Sequence, residues 1–213
     1  MRRLINTVRF GWPDTGWREP ALPLQGEPDL ALGERRARAA VLLTLGLPGG
    51  AYLYQGEELG LEQVLDIPDH LLQDPTWERS GHTVRGRDGC RVPIPWEADR
   101  PAFGFNHTGD SWLPQPTDWG RFARDAQVGV PGSTPELYTL ALRLRREHLL
   151  ASGALQWLKG YGRSVVAFRN GDITVIANLG KVAVELPVGE VLLASETITG
   201  GALPTDTTVW IRS

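Results

Sequence analysis

The feature that most constrains this chain is a change of hydrophobic period near residue 152. Beyond it, apolar residues alternate along five runs: 164–170 (SVVAFRN), 172–179 (DITVIANL), 181–187 (KVAVELP), 190–196 (EVLLASE) and 207–213 (TTVWIRS). Alternation sends successive side chains to opposite faces, so each run buries one face and wets the other. Gly171, Gly180, Gly189 and Gly200-Gly201 punctuate the runs. Short strands at such close spacing argue an antiparallel sandwich or meander. Residues 153–213 are therefore read as a small antiparallel β domain, and residues 1–152 as a different, α/β part.

Two helix signals lie ahead of that boundary. Residues 34–47 begin with Glu34, Arg35, Arg36 and Arg38 and turn apolar on nearly all sides through Ala39, Ala40, Leu42, Leu43, Leu45 and Leu47. A helix end that is apolar all round is a buried one, and Pro48-Gly49-Gly50 stops it. Residues 133–150 offer Ser133 or Thr134 as a cap, Pro135 for the first turn and Glu136 for the positive end of the dipole. Leu137, Leu140, Ala141, Leu144 and His148 follow at helical spacing, with Arg143, Arg145 and Arg146 near the negative end. Between the helices, AYLYQ (51–55) reads as a short buried strand. Helix, tight turn, strand and polar loop make half of an α/β unit. In such folds function gathers in the loops beyond strand C-termini. That loop, residues 56–132, has little periodicity. A compact domain seldom carries so long a loop without function, so it is read as an ordered active-site loop with room for one short helix.

Composition narrows the function. A net charge of -3 and a pI of about 5.8 leave no basic face for nucleic acid or a membrane surface. Cys90 is the single cysteine, which fits a reducing cytoplasm. No apolar run approaches the roughly 18 residues of a membrane helix, and Met1–Trp12 lacks the core of a secretory signal. At 213 residues the chain is short for a closed eight-stranded barrel, which takes about 250. Eight tryptophans suit either core packing or stacking on the C–H face of a pyranose.

The most informative stretch is GRDGCRVPIPW, residues 86–96. A turn at Arg87-Asp88-Gly89 sets Arg87 and Arg91 four residues apart, and the stiff Val92-Pro93-Ile94-Pro95-Trp96 follows. Arginine is a fixed cation with a two-pronged fork, so such a pair can grip carboxylates or sugar hydroxyls. The plainer reading is two structural salt bridges inside a long loop. Glu57-Glu58 sit where catalytic groups sit, just past the strand, yet read more simply as part of a turn. Asp66, Asp69, Asp74 and Asp118 carry no pairing signal and are read as solvated loop acids. His70, His82, His107 and His148 are scattered and match no zinc spacing. Asp66 and Asp69 lack a D-x-D-x-D-G calcium run, and no glycine-rich phosphate loop is present. No cofactor is expected. Cys90, beside Arg91, reads as a small buried loop residue.

Taken in order, LPGGAYLYQGEELGL (47–61), GRDGCRVPIPW (86–96), SWLPQPTDW (111–119), the helix at 136–150 and the terminal β domain resemble the C-terminal part of α-glucosidases of glycoside hydrolase family 13, nearest the oligo-1,6-glucosidase-like branch. The resemblance implies a C-terminal fragment of a (β/α)8 barrel followed by an antiparallel β-sandwich domain. It maps 34–47 to the seventh barrel helix, 51–55 to the eighth strand, 56–132 to the loop walling the pocket and 133–150 to the eighth helix. It implies retaining hydrolysis of terminal α-linked glucose from oligosaccharides, by a nucleophile and an acid about 5–5.5 Å apart. Those acids would come from strands ahead of Met1. The third acid's Asn-His-Asp run belongs in the first dozen residues, where Asn6-Thr7-Val8 stands instead. No catalytic carboxylate is carried over. Arg91 matches an arginine that in the family pairs with an acid at the floor of the non-reducing subsite, and Arg87 matches a neighbour on the leaving-group side. With Trp96 they form the candidate substrate-binding set. The reading expects little hydrolysis from the isolated chain, a small oligosaccharide as ligand, and either a complementing N-terminal chain or a non-catalytic module in which Trp77, Trp96, Trp112 and Trp119 stack on sugar.

Overall fold

The computed structural model describes residues 29–212. They divide into two compact units, 53–136 in one, and 29–52 with 137–212 in the other. The helices are α1 (Leu30–Gly46), α2 (Pro75–Arg79), α3 (Arg124–Gln127) and α4 (Thr134–Glu147). The strands are β1 (Leu155–Trp157), β2 (Val165–Asn170), β3 (Ile173–Asn178), β4 (Val184–Glu185), β5 (Glu190–Ala194), β6 (Ala202–Leu203) and β7 (Thr207–Arg212).

In the second unit four of the five period-two runs (β2, β3, β5 and β7), joined by the short β1 that the pattern did not mark, form a five-stranded sheet, order β1-β2-β3-β7-β5, with every neighbour antiparallel. Side chains alternate between the two faces, but the expected wet face is missing from the central strands β3 and β7. Phe168, Val175 and Trp210 lie opposite one another on one face, and Ala167, Ile176 and Val209 on the other. All six residues of β3 are buried, because both faces are covered. Helix α1 covers the first: Trp210 Nε1 donates to the Leu42 carbonyl at 3.0 Å and Thr208 Oγ1 to that of Ala39 at 2.8 Å. On the second face Leu203, Leu186 and Ile198 join Ala167, Ile176, Val209 and Ile211.

The expected sandwich is met only in part. Opposite the sheet stand a helix on one side and the two-stranded ribbon of β4 and β6 on the other. Of the 181–187 run only Val184–Glu185 pairs. Pro187 and Pro204 bound the ribbon, and proline lacks the N–H that would extend the ladder.

Helix α1 starts four residues earlier than its sequence pattern suggests. Asp29 caps it, accepting from the Leu32 amide at 2.9 Å. Its apolar end presents one buried face (Ala39, Val41, Leu42, Leu45) and leaves Thr44 exposed. Helix α4 stops at Glu147, short of the expected 150, as Leu149 turns left-handed.

The 51–55 segment departs from expectation. It forms no strand, and Tyr52 is 83% exposed. A strand exists only through ladder partners, and every paired strand among the described residues is antiparallel and C-terminal to residue 154. Among the described residues the apolar run AYLYQ thus has no ladder partner.

The 53–136 unit is the long loop, and it is ordered. Short helices α2 and α3 and 3-10 turns at Asp69–Leu71, Asp88–Cys90, Pro101–Gly104 and Trp119–Phe122 fold over a core of their own. That core is Leu59, Leu61, Ile67, Val92, Leu113 and Trp119, with Ile94, Phe103 and Phe122 against it.

Candidate functional site

The two arginines of GRDGCRVPIPW converge on one carboxylate. Asp74 is the N-cap of α2, with Pro75 in the first turn behind it. Its Oδ1 accepts from the Thr76 amide at 2.9 Å. Its Oδ2 accepts from the Arg87 amide at 3.0 Å and from Arg91 Nη1 at 3.0 Å, with Arg87 Nε 3.9 Å away. Asp74 is only 4% exposed. The Thr76 amide and hydroxyl, the Arg87 amide and the Arg91 charge outweigh the cost of burial and lower its pKa to about 2.

Asp88 closes the arrangement from the other side. Its Oδ2 accepts from the Gln73 amide at 2.6 Å and the Asp74 amide at 2.7 Å, and its Oδ1 lies 3.8 Å from Arg91 Nη1. Each aspartate therefore ties the other's loop. The fit requires small residues. Gly86 has φ +70°, and a Cβ there would stand 2.6 Å from Asp74 Cγ. A Cβ on Gly89 would stand 2.0 Å from the Val64 carbonyl oxygen. Cys90 is buried, its thiol donating to the Arg87 carbonyl at 3.1 Å, as its small-residue reading expects.

The guanidinium groups keep an open side. The Arg91 side chain is 36% exposed and that of Arg87 58%. Trp112 Nε1 donates to the Arg91 carbonyl at 3.2 Å, and Gln73 Nε2 to the Trp112 carbonyl at 2.6 Å. The Trp112 ring, 52% exposed, meets Phe105 edge-on. Trp96 is 44% exposed and is fixed through its backbone, bonded to Phe103 and Asp125.

Several expectations change here. Asp74 is a buried hub rather than a solvated loop acid, and Asp69 and Asp118 pair with Arg85 and Arg121. Within this chain Arg91 is held by Asp74. Trp119 is a core residue, buried among Leu59, Leu61 and Val92, and offers no face to a sugar. Trp77 stacks on His82 at 5.0 Å, with Arg85 over its ring. Glu58 belongs to a turn, its Oε2 accepting from the Gly56 amide at 2.8 Å. Burial pushes the Glu57 carboxyl above its usual pKa, against a lowering backbone bond from Tyr54. Among the described residues no three His, Cys, Asp or Glu side chains gather as metal ligands. No helix there is long and apolar enough to cross a membrane.

The sequence reading missed Asp74 and Asp88 as partners. Asp-Pro ahead of a short polar helix is a cap signal. The pairing of Asp74 with residues 13 and 17 positions away has no local signature.

An ordered loop of this make-up, ahead of a helix and an antiparallel domain, belongs to a known class. Residues 26–153 match the α-amylase catalytic domain, and the chain is a member of that family, glycoside hydrolase family 13. It is 35% identical over 131 residues to a probable α-glucosidase of Rhizobium meliloti (strain 1021), covering 61% of this chain and 23% of that protein. It is 28% identical over 205 residues to the glucan 1,6-α-glucosidase of Streptococcus pneumoniae serotype 4, covering 85% of this chain and 38% of that one. Among solved structures, the α-glucosyl transfer enzyme XgtA superposes with a TM-score of 0.65 at 27% identity, covering 84% of this chain and 36% of XgtA. The chain thus spans less than two-fifths of the length of each of these relatives.

Proposed function

We propose that this chain supplies the pocket wall of a retaining enzyme that removes terminal α-linked glucose from oligosaccharides, with Arg91, Arg87 and Trp96 facing the sugar. The observation that carries the reading is the Asp74 hub: two arginines on a stiff turn, Arg91 held to a buried carboxylate by its guanidinium and Arg87 by its amide, both guanidinium groups still open on one side. Such forks donate to sugar hydroxyls at little entropic cost, because the turn is already ordered. The family supplies the reaction class, and the names of the α-glucosidase relatives agree with it.

The same chemistry argues that the chain does not cleave by itself. Retention needs a nucleophile and a protonated acid across one sugar. The buried acids of this unit are Asp74 and Asp88, and both are filled by backbone donors. Asp74, held at a pKa of about 2, has no proton to give near neutral pH. Glu57 has a raised pKa but lies in the turn after Tyr54, and its acidic neighbour Glu58 is committed to the Gly56 amide. The cleaving acids therefore come from a complementing segment or chain, in a reducing compartment that suits the thiol of Cys90.

Two assays on the purified chain test this. Titration with maltose and with isomaltose, followed by tryptophan fluorescence, should give a saturable change that Arg91→Met removes. A flat response refutes the wall. Incubation with p-nitrophenyl α-glucoside should give no turnover, and turnover abolished by Glu57→Gln would reassign the site. The exposed Trp112 ring favours a second reading, a carbohydrate-binding module without catalysis. If adding a complementing N-terminal barrel segment to the chain yields no hydrolysis while the titration still saturates, that second reading stands.

A further inference from the structure

Asn170 ends β2 and is followed by Gly171, which has φ +63° and begins the two-residue turn into β3. Asn-Gly is the dipeptide most open to self-attack, because glycine puts no Cβ in the way of its own amide nitrogen. The Asn170 side chain is fully buried. Its Nδ2 donates at 2.9 Å to the Gly46 carbonyl, at the end of α1, and at 2.9 Å to the Leu150 carbonyl. Two carbonyl acceptors fix the amide's orientation, since only the nitrogen can donate. Its Oδ1 has no hydrogen-bond partner and presses on Gly153, where a Cβ would stand 1.8 Å from that oxygen. The site is tight, and one side chain ties helix, sheet and the turn after α4.

We propose that Asn170 is a modification site gated by folding: it is protected in the folded chain, deamidates when the chain opens, and the product cannot regain the native packing. In the reaction hydroxide removes the Gly171 amide proton, and that nitrogen attacks Cγ of Asn170. A C–N bond closes a five-membered imide, the bond from Cγ to Nδ2 breaks, and ammonia leaves carrying a proton from water. Water then opens the imide at either carbonyl, giving aspartate or isoaspartate. The sum is one water consumed and one ammonia released, with no change of oxidation state.

Ring closure requires the backbone to rotate out of the extended region at Asn170 and the side chain to leave both carbonyls. The folded chain opposes each. Asn170 is paired on two sides, to Leu155 of β1 and Ile173 of β3, and antiparallel pairing holds ψ near +135°. The products fare worse than the reactant. Aspartate would aim a buried carboxylate at the Gly46 and Leu150 carbonyl oxygens, which are acceptors and cannot donate to it, the case of a buried, unpaired charge. Isoaspartate adds a methylene to the main chain and breaks the register on both sides.

The whole chain tests this. Two samples are held at the same mildly alkaline pH, one folded and one in concentrated urea, and a peptide spanning the β2–β3 turn is followed by mass. Deamidation at Asn170 is expected to be about tenfold slower or more in the folded sample, since it must wait for opening of a core strand. After removal of urea, the deamidated fraction is expected to lose the cooperative urea transition of the fresh chain. Asn170→Asp alone can fail to fold for other reasons, so Asn170→Ser serves as the second variant. It cannot form the imide and should refold to the same yield before and after the alkaline hold. Equal rates in the two samples, a deamidated chain with an unchanged urea midpoint, or loss of refolding by the Asn170→Ser variant during the hold would each overturn the proposal.

Discussion

Replacing Arg145 with methionine should cost about 3 kcal/mol or more of stability in the unit that holds the sheet, since each buried acceptor left without a donor costs about 1–3 kcal/mol. Arg145 is on α4 and is 7% exposed. Its Nη1 donates to the carbonyls of Leu45 and Leu47, the latter at 2.6 Å, and its Nη2 to that of Gly49 at 2.5 Å. Leu45 is in the last turn of α1, whose carbonyls an α-helix cannot satisfy by itself, and Leu47 and Gly49 follow in the turn beyond it. A hydrogen bond to a charged group contributes about 1.5–3 kcal/mol. Three would overshoot, because burial also disfavours the cation and pushes its pKa down. It remains charged at neutral pH because arginine starts so high. Methionine keeps the apolar stem and leaves the carbonyls without donors, so the lower sum stands. Arg145→Lys keeps the charge but offers a single point instead of a planar fork, and should cost about 1–2 kcal/mol. Urea unfolding followed by Trp210 fluorescence and far-ultraviolet circular dichroism measures both. A loss under about 1 kcal/mol for methionine, or lysine equal to arginine, refutes the argument that three-carbonyl geometry matters.

Three further outcomes follow from the same structure. Gly46→Ala gains about 1 kcal/mol of helix propensity but places a Cβ 2.7 Å from Val175 Cγ2 and 3.3 Å from Trp210 Nε1, and overpacking at about 1–3 kcal/mol makes the variant less stable in urea; a rise in midpoint would contradict this. Asp74 has a depressed folded pKa, so its contribution to stability is whole above its ordinary value of 3.8 and is lost as pH falls through about 2; the urea midpoint of Asp74→Asn should be lower than that of the wild-type chain at neutral pH and change less across that acid window. Glu57 has a raised folded pKa with burial as the main cause, so its ionised form destabilises the fold above its ordinary value of 4.5; Glu57→Gln should raise the urea midpoint at neutral pH and leave it unchanged well below pH 4.5.

Sequence alone determined the local elements. Runs such as 164–170 and 172–179, apolar and rich in β-branched residues between glycines, became β2 and β3. The 34–47 pattern gave α1, with only the Asp29 cap and the first turn unread. GRDGCRVPIPW was legible as a stiff turn presenting two cations, since proline and arginine carry that information themselves. Tertiary structure decided what those elements meet. AYLYQ has strand chemistry and forms no strand, because pairing belongs to neighbours and not to the segment. Trp112 and Trp119 look alike in sequence, yet one is open to solvent and the other is core. Asp74 read as an ordinary loop acid until the fold brought Arg87 and Arg91 onto it. Hydrophobic period is written residue by residue along the chain. Partnership between charges 13 and 17 positions apart comes into being only when burial removes water as the competing partner.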